Sequence, residues 1–87
     1  MNLEQNAAWL ANGKERRRPI LEEVINNGPI TPTRLKEELD KNLSSISEGL
    51  RELRGKDLVK FTKGGTNRFY EATDQGKKVF EESKNYL

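Results

Sequence analysis

The sequence predicts a mainly helical α+β domain with a three-helix core, a two-stranded β-hairpin and a C-terminal helix. Two observations carry most of that expectation. Apolar residues recur at helical spacing in successive runs between Ile20 and Leu53, punctuated by capping residues and prolines. Two β-prone runs then flank Gly64-Gly65, the composition of a hairpin tip. The most informative stretch is ITPTRLKEELDKNLSSISEGLRELRGKDLVKFTKGGTNRFYEAT, from Ile30 to Thr73.

The elements follow in order. Residues 1–13 read as an arm or short helix, with Leu3, Ala7, Leu10 and Ala11 at helical spacing and Gly13 interrupting. Residues 14–87 form the domain proper. Ile20, Leu21, Val24 and Ile25 make the apolar stripe of a helix whose first turn holds Pro19, where the missing N–H costs nothing. Asn26-Asn27-Gly28 should end it through a left-handed cap, and Pro29 stops continuation. Thr31 followed by Pro32 starts a short helix to Leu39, with Leu35 and Leu39 inward. After a turn at Asp40-Lys41, Asn42 caps a helix from Leu43 to Gly55, with Ile46, Leu50 and Leu53 inward. Gly49 inside it points to close approach by a neighbouring helix. Leu58–Thr62 and Arg68–Thr73 are the strand runs, with Lys63–Asn67 between them. Thr73 caps a last helix reaching Tyr86, with Gly76, Val79, Phe80 and Tyr86 on one stripe.

Composition narrows function. A chain of 87 residues fits one small domain, whose marginal core would gain from a partner surface or a dimer. Histidine and cysteine are both absent, which removes imidazole bases, thiol nucleophiles, disulfides and the usual zinc ligands. The reading is therefore of a protein that is not an enzyme and holds no metal or cofactor. No apolar run approaches the ~20 residues of a membrane span, and the amino terminus lacks a signal-peptide pattern. A cytoplasmic location without membrane contact is expected.

Net charge is only +2, so its distribution matters more than its total. Residues 41–73 carry 7 basic and 4 acidic groups. Lys60, Lys63 and Arg68 lie in a run without acids, beside Gly64, Gly65, Thr62, Thr66 and Asn67. That composition suits contact with phosphates or a minor groove, although a solvated loop would share it. In the 43–55 helix, steps of 100° place Ser44, Glu48, Arg51 and Gly55 opposite the inward residues, with Ser45 and Ser47 flanking. Short polar residues let a helix enter a groove, and arginine reads guanine bidentately. Serines also cluster at helix starts for backbone reasons. Glu48 either accepts from a cytosine amine or pairs with a nearby cation. Arg16-Arg17-Arg18 either meets an external phosphate or is ion-paired, with Glu15, Glu22 and Glu23 as candidates.

The run GPITPTRLKEELDKNLSSISEGLRELRGKDLVKF, the hairpin, and RFYEATDQGKKVFEE together resemble the winged helix-turn-helix DNA-binding proteins. The likeness is to small archaeal and bacterial transcriptional regulators of MarR and ArsR type, over about residues 14–86. It implies sequence-specific binding to double-stranded DNA, with helix 43–55 in the major groove and wing 60–68 on the flanking backbone. By position it assigns base contacts to Ser44, Ser45, Ser47, Glu48 and Arg51. Backbone contacts fall to Thr31, Thr33, Lys41, Asn42, Lys63, Gly64, Thr66, Asn67 and Arg68. It also implies a homodimer through the first and last helices. The cysteine pair of metal-sensing ArsR-type proteins is missing. The alternative is a winged helix serving protein–protein contact within an assembly.

Overall fold

The computed structural model describes residues 2–87, which form α1 (Leu3–Asn12), α2 (Arg17–Asn27), α3 (Pro32–Leu39), α4 (Leu43–Gly55), β1 (Val59–Gly64), β2 (Asn67–Ala72) and α5 (Asp74–Ser83), followed by a 3-10 turn at Lys84–Tyr86. Side-chain caps explain most of the helix starts. Asn2, Thr31, Asn42 and Thr73 each accept an N–H from the residue three positions on. Such caps are worth about 1 kcal/mol each. Helix α2 begins without one, at Arg16, and holds Pro19 in its first turn.

The core gathers one face from every helix. Leu10 of α1, Ile20, Leu21 and Val24 of α2, Leu35 of α3, Ile46, Leu50 and Leu53 of α4, and Val79 and Phe80 of α5 are buried together with Leu58, Val59 and Tyr70. Helix α1 packs chiefly along α5, and α4 packs on α2 and α3. Gly49 lets α2 come close: a Cβ there would lie 2.5 Å from Ile20 Cδ1.

The strands pair antiparallel, with Val59 opposite Ala72, Phe61 opposite Tyr70 and Lys63 opposite Arg68. These pairs share one face of the hairpin, because side chains alternate along a strand. That face is buried at its root and basic at its tip. Gly64 still pairs with Asn67, so the strands run further than the sequence suggested and the loop is only Gly65-Thr66. Gly65 takes φ +62°, the positive value a two-residue loop requires at its first position. Ile30, unassigned in the sequence reading, bridges to Tyr70 through Ile30 N–H to Tyr70 O (3.0 Å) and Tyr70 N–H to Ile30 O (2.8 Å).

Two local expectations are corrected. Gly28 is extended (φ −72°, ψ 154°) rather than left-handed, and its N–H bonds the Val24 carbonyl. The left-handed positions are instead Asp40 and Asp57, which end α3 and precede β1. The last α-helix stops at Ser83, and Tyr86 stands 45% exposed in the 3-10 turn rather than on the inward stripe. Ser83 takes the buried place, donating to the Phe80 carbonyl at 2.6 Å.

Two glycine substitutions should separate backbone contact from side-chain contact. A Cβ on Gly76 would lie 2.1 Å from the Leu58 carbonyl oxygen, which the Thr73 N–H already holds in place. Gly76→Ala should cost about 2–3 kcal/mol in urea unfolding. Gly49→Ala meets only the movable end of Ile20 and gains helix propensity, so it should stay within about 1 kcal/mol of the native protein.

Candidate nucleic-acid interface

Helix α4 is presented by a local device. Asp40 turns the chain with φ 52°, and Asn42 Oδ1 accepts the Ser45 N–H at 2.8 Å. The inward residues Ile46, Leu50 and Leu53 then fix the helix rotation. Ser44, Ser47, Glu48 and Arg51 are exposed, and Ser45 is half-buried.

A groove opens between α4, the start of α3 and the hairpin. Thr31, Pro32, Thr33, Leu43, Ser47, Arg51, Arg54, Thr66, Asn67 and Arg68 line it, with Leu50 and Tyr70 as its apolar floor. Ser44 and Glu48 join Leu43, Ser47 and Arg51 in a shallow depression beside it. Of the residues expected at the site, Lys41, Asn42, Ser45, Lys63 and Gly64 line neither. Lys63 and Gly64 are exposed at the hairpin tip. The groove's lining contains no acid. A neighbouring groove between α2, α3 and Phe69 contains Glu23, Glu37 and Glu38, so the two grooves differ in sign.

The start of α3 adds donors. Thr31 Oγ1 accepts the Arg34 N–H at 3.2 Å, and the Thr31 carbonyl accepts the Leu35 N–H at 3.0 Å. Pro32 has no N–H. The Thr33 N–H is left as the uncommitted donor of that turn, at the positive end of the helix dipole.

The basic residues divide into two sets. Arg16 pairs with Glu52 at 2.9 Å and with Glu48 at 3.2 Å. Arg17 reaches Glu52 at 3.8 Å, donates to the Trp9 carbonyl at 2.8 Å and lies 4.1 Å over the Trp9 ring. Arg18 donates to Ser83 Oγ at 3.1 Å and lies 4.4 Å over the Phe80 ring. The arginine triplet is thus committed to α1, α4 and α5, and its acidic partners are Glu48 and Glu52 rather than Glu15, Glu22 or Glu23. Arg51, Arg54, Lys63 and Arg68 make no ion pair among the described residues. Glu48, the one acid on the outer face of α4, has its charge offset by Arg16.

Leu43, Pro32 and Arg54 line the groove without having been singled out in the sequence. Arg54 sits in the last turn of α4, where a cation is explained by the helix dipole alone. Its spacing of three from Arg51 was the available signal. Leu43, at 47% exposure, is an apolar residue left open at the start of α4.

The assembled geometry is a helix pair presenting α4, with a basic hairpin beside it. No protein-family model and no curated protein matches the chain. Solved structures do. A multiple antibiotic-resistance repressor (MarR) from Listeria monocytogenes superposes with TM-score 0.76 at 18% identity, over 94% of this chain and 56% of that one. The transcriptional repressor CouR, bound to a 23-mer DNA duplex, gives TM-score 0.73 at 14% identity, over 95% and 63%. Streptococcus pneumoniae FabT in complex with DNA gives 0.70 at 17% identity, over 84% and 52%. The fold is a MarR-type winged helix. The winged-helix chain spans between about half and two thirds of the length of these regulators, and β1–β2 is its wing. None of its described helices is long and apolar enough to cross a membrane.

Arg16 joins α2 to α4 through two half-exposed carboxylates, so the expected worth is that of a small surface network. Arg16→Ala should lower unfolding free energy by about 1 kcal/mol in urea titration. The loss should shrink at 1 M salt, where the screening length is about 3 Å.

Proposed function

We propose that this winged-helix domain binds double-stranded DNA sequence-specifically and acts in transcriptional regulation, with α4 in the major groove and the wing on the flanking backbone. The observation that carries the proposal is the acid-free groove between α4 and the wing, where Arg51, Arg54 and Arg68 make no ion pair among the described residues. Unpaired cations on one surface are the electrostatic footprint that a phosphate backbone completes.

Roles follow from position. Ser44, Ser47 and Arg51 face base edges, and Leu43 offers an apolar contact for a thymine methyl. Glu48, steadied by Arg16, is placed to accept from a cytosine amine. Thr31 and Thr33 meet backbone phosphate at the start of α3, where the Thr33 N–H and the helix dipole favour an anion. Lys41, Asn42 and Ser45 flank the entry to α4, and Lys63, Gly64, Thr66, Asn67 and Arg68 contact the backbone from the wing. In this reading residues 14–87 form the DNA-binding unit, α1 supports it through α5, and the protein works in the cytoplasm without catalysis.

The same reading includes a homodimer through the first and last helices. Leu3 on α1 and Tyr86 and Leu87 at the end of the chain are large apolar side chains left exposed on elements that touch each other. A symmetric pair would present two α4 helices to half-sites about one helical turn apart.

Titration with random and genomic duplexes at two salt concentrations tests the function. Tight, salt-sensitive binding with preference for particular fragments is expected. No binding to either would favour a protein-contact role for the winged helix. Replacing both Lys63 and Arg68 with alanine should flatten the salt dependence by roughly two charges, and an unchanged slope would remove the wing from the backbone contacts. Arg51→Ala should relax sequence preference at one position, by about 1–3 kcal/mol of discrimination. A uniform loss across all sequences would make Arg51 a phosphate contact instead.

A further inference from the structure

Phe61 lies on the face of the hairpin that turns toward the helices, and it gathers two cations. The guanidinium of Arg54, from the last turn of α4, is 5.1 Å from the Phe61 ring centroid. That of Arg68, from the wing, is 4.7 Å from the same centroid. The ring is itself supported by Tyr70 at 5.4 Å, and Tyr70 is buried and bridged to Ile30. Two like charges therefore share one aromatic platform at the junction of α4 and the wing. Across the hairpin Lys63 stands directly opposite Arg68, a further like-charge pair. Both arginines line the acid-free groove, and neither makes an ion pair among the described residues.

A guanidinium drawn to a ring by cation–π attraction still has N–H groups to offer, and these match the oxygens of a phosphate. The contact also restrains the long arginine side chain, so less freedom is lost when it binds. We propose that Arg54 and Arg68, held on Phe61, form a phosphate-binding site at the junction of α4 and the wing, and that its ligand is a phosphodiester of the DNA backbone. The site rests on the DNA reading above. It adds Arg54 as a contact residue and Phe61 as a positioning residue, neither of which the outer face of α4 supplies. It also ties the helix and the wing to one stretch of backbone.

The test measures duplex affinity against salt for the unsubstituted chain and for Arg54→Ala, Phe61→Leu, Phe61→Trp and the Arg54→Ala/Phe61→Leu double variant. Arg54→Ala should weaken binding to all sequences by about tenfold at low salt and reduce the salt slope by about one unit. Phe61→Leu should also flatten the slope, whereas Phe61→Trp, which keeps an aromatic face, should restore it. In the Phe61→Leu background, Arg54→Ala should cost less than it does alone. Thermal unfolding of each variant checks folding, and lost stability alone would not change the slope. An unchanged slope for Arg54→Ala, or strictly additive losses, would overturn the site while leaving the DNA reading intact. Absence of duplex binding by the unsubstituted chain would overturn both. Inorganic phosphate at matched ionic strength separates the two sources of ligand. Free phosphate should compete for the site, weakening duplex binding by the unsubstituted chain more than by Arg54→Ala, and equal weakening of both would overturn the phosphodiester assignment.

Discussion

The paired backbone bond between Ile30 and Tyr70 is the constraint on which the functional surface depends. An isolated two-stranded hairpin is marginal in water. Here the hairpin is rooted by a third extended residue, held through both its N–H and its carbonyl. That bridge joins the wing to the segment between α2 and α3, and so to the helices that present α4. Tyr70 carries the link further. Its side chain floors the groove and supports Phe61. Together with the buried Leu58 and Val59, this pair holds the wing against the helices while contributing nothing to the charge of the surface.

Around that frame α4 separates its charges by side. Toward α2 it offers Glu48 and Glu52, which Arg16 and Arg17 neutralise. Toward the wing it offers Arg51 and Arg54, which no acid pairs with among the described residues. At 100° per residue the centres of the two sides lie about 110° apart, and Glu48 and Arg51, three positions apart, are separated by about 60°. The internal ion pairs add little stability at their exposure. Their larger effect is electrostatic, because they prevent the acids of α4 from cancelling the field of its own arginines. A chain of net charge +2 can thus present a locally basic surface.

The legible parts of the sequence are those governed by short range. Thr31, Asn42 and Thr73 cap helices through bonds three residues long, and Ile46, Leu50 and Leu53 set a rotation that periodicity alone describes. The serines and Arg51 on α4 and the basic tip of the wing were visible for the same reason. What escaped depends on distance. Ile30 is a single apolar residue between Pro29 and Thr31, and its partner is forty positions away. The arginine triplet seemed open to an external anion because Glu48 and Glu52 lie more than thirty positions from Arg16. Arg54 has an adequate local explanation at a helix end, and only Phe61, seven residues on and across the turn, places it in the groove.

The tip of the wing accepts a repulsion that most hairpins avoid. Lys63 opposite Arg68 disfavours close pairing, while the two-residue loop and the buried Val59 and Tyr70 leave the register no freedom to relieve it. The strain is electrostatic and is confined to the end furthest from the core. A multivalent anion at that end removes the repulsion without moving the frame. By linkage, anything that binds the folded wing and not the unfolded chain also stabilises the fold. The wing therefore holds a like-charge pair where, in the proposed complex, a phosphate backbone would be the counterion, and the apolar root of the hairpin keeps that pair in register.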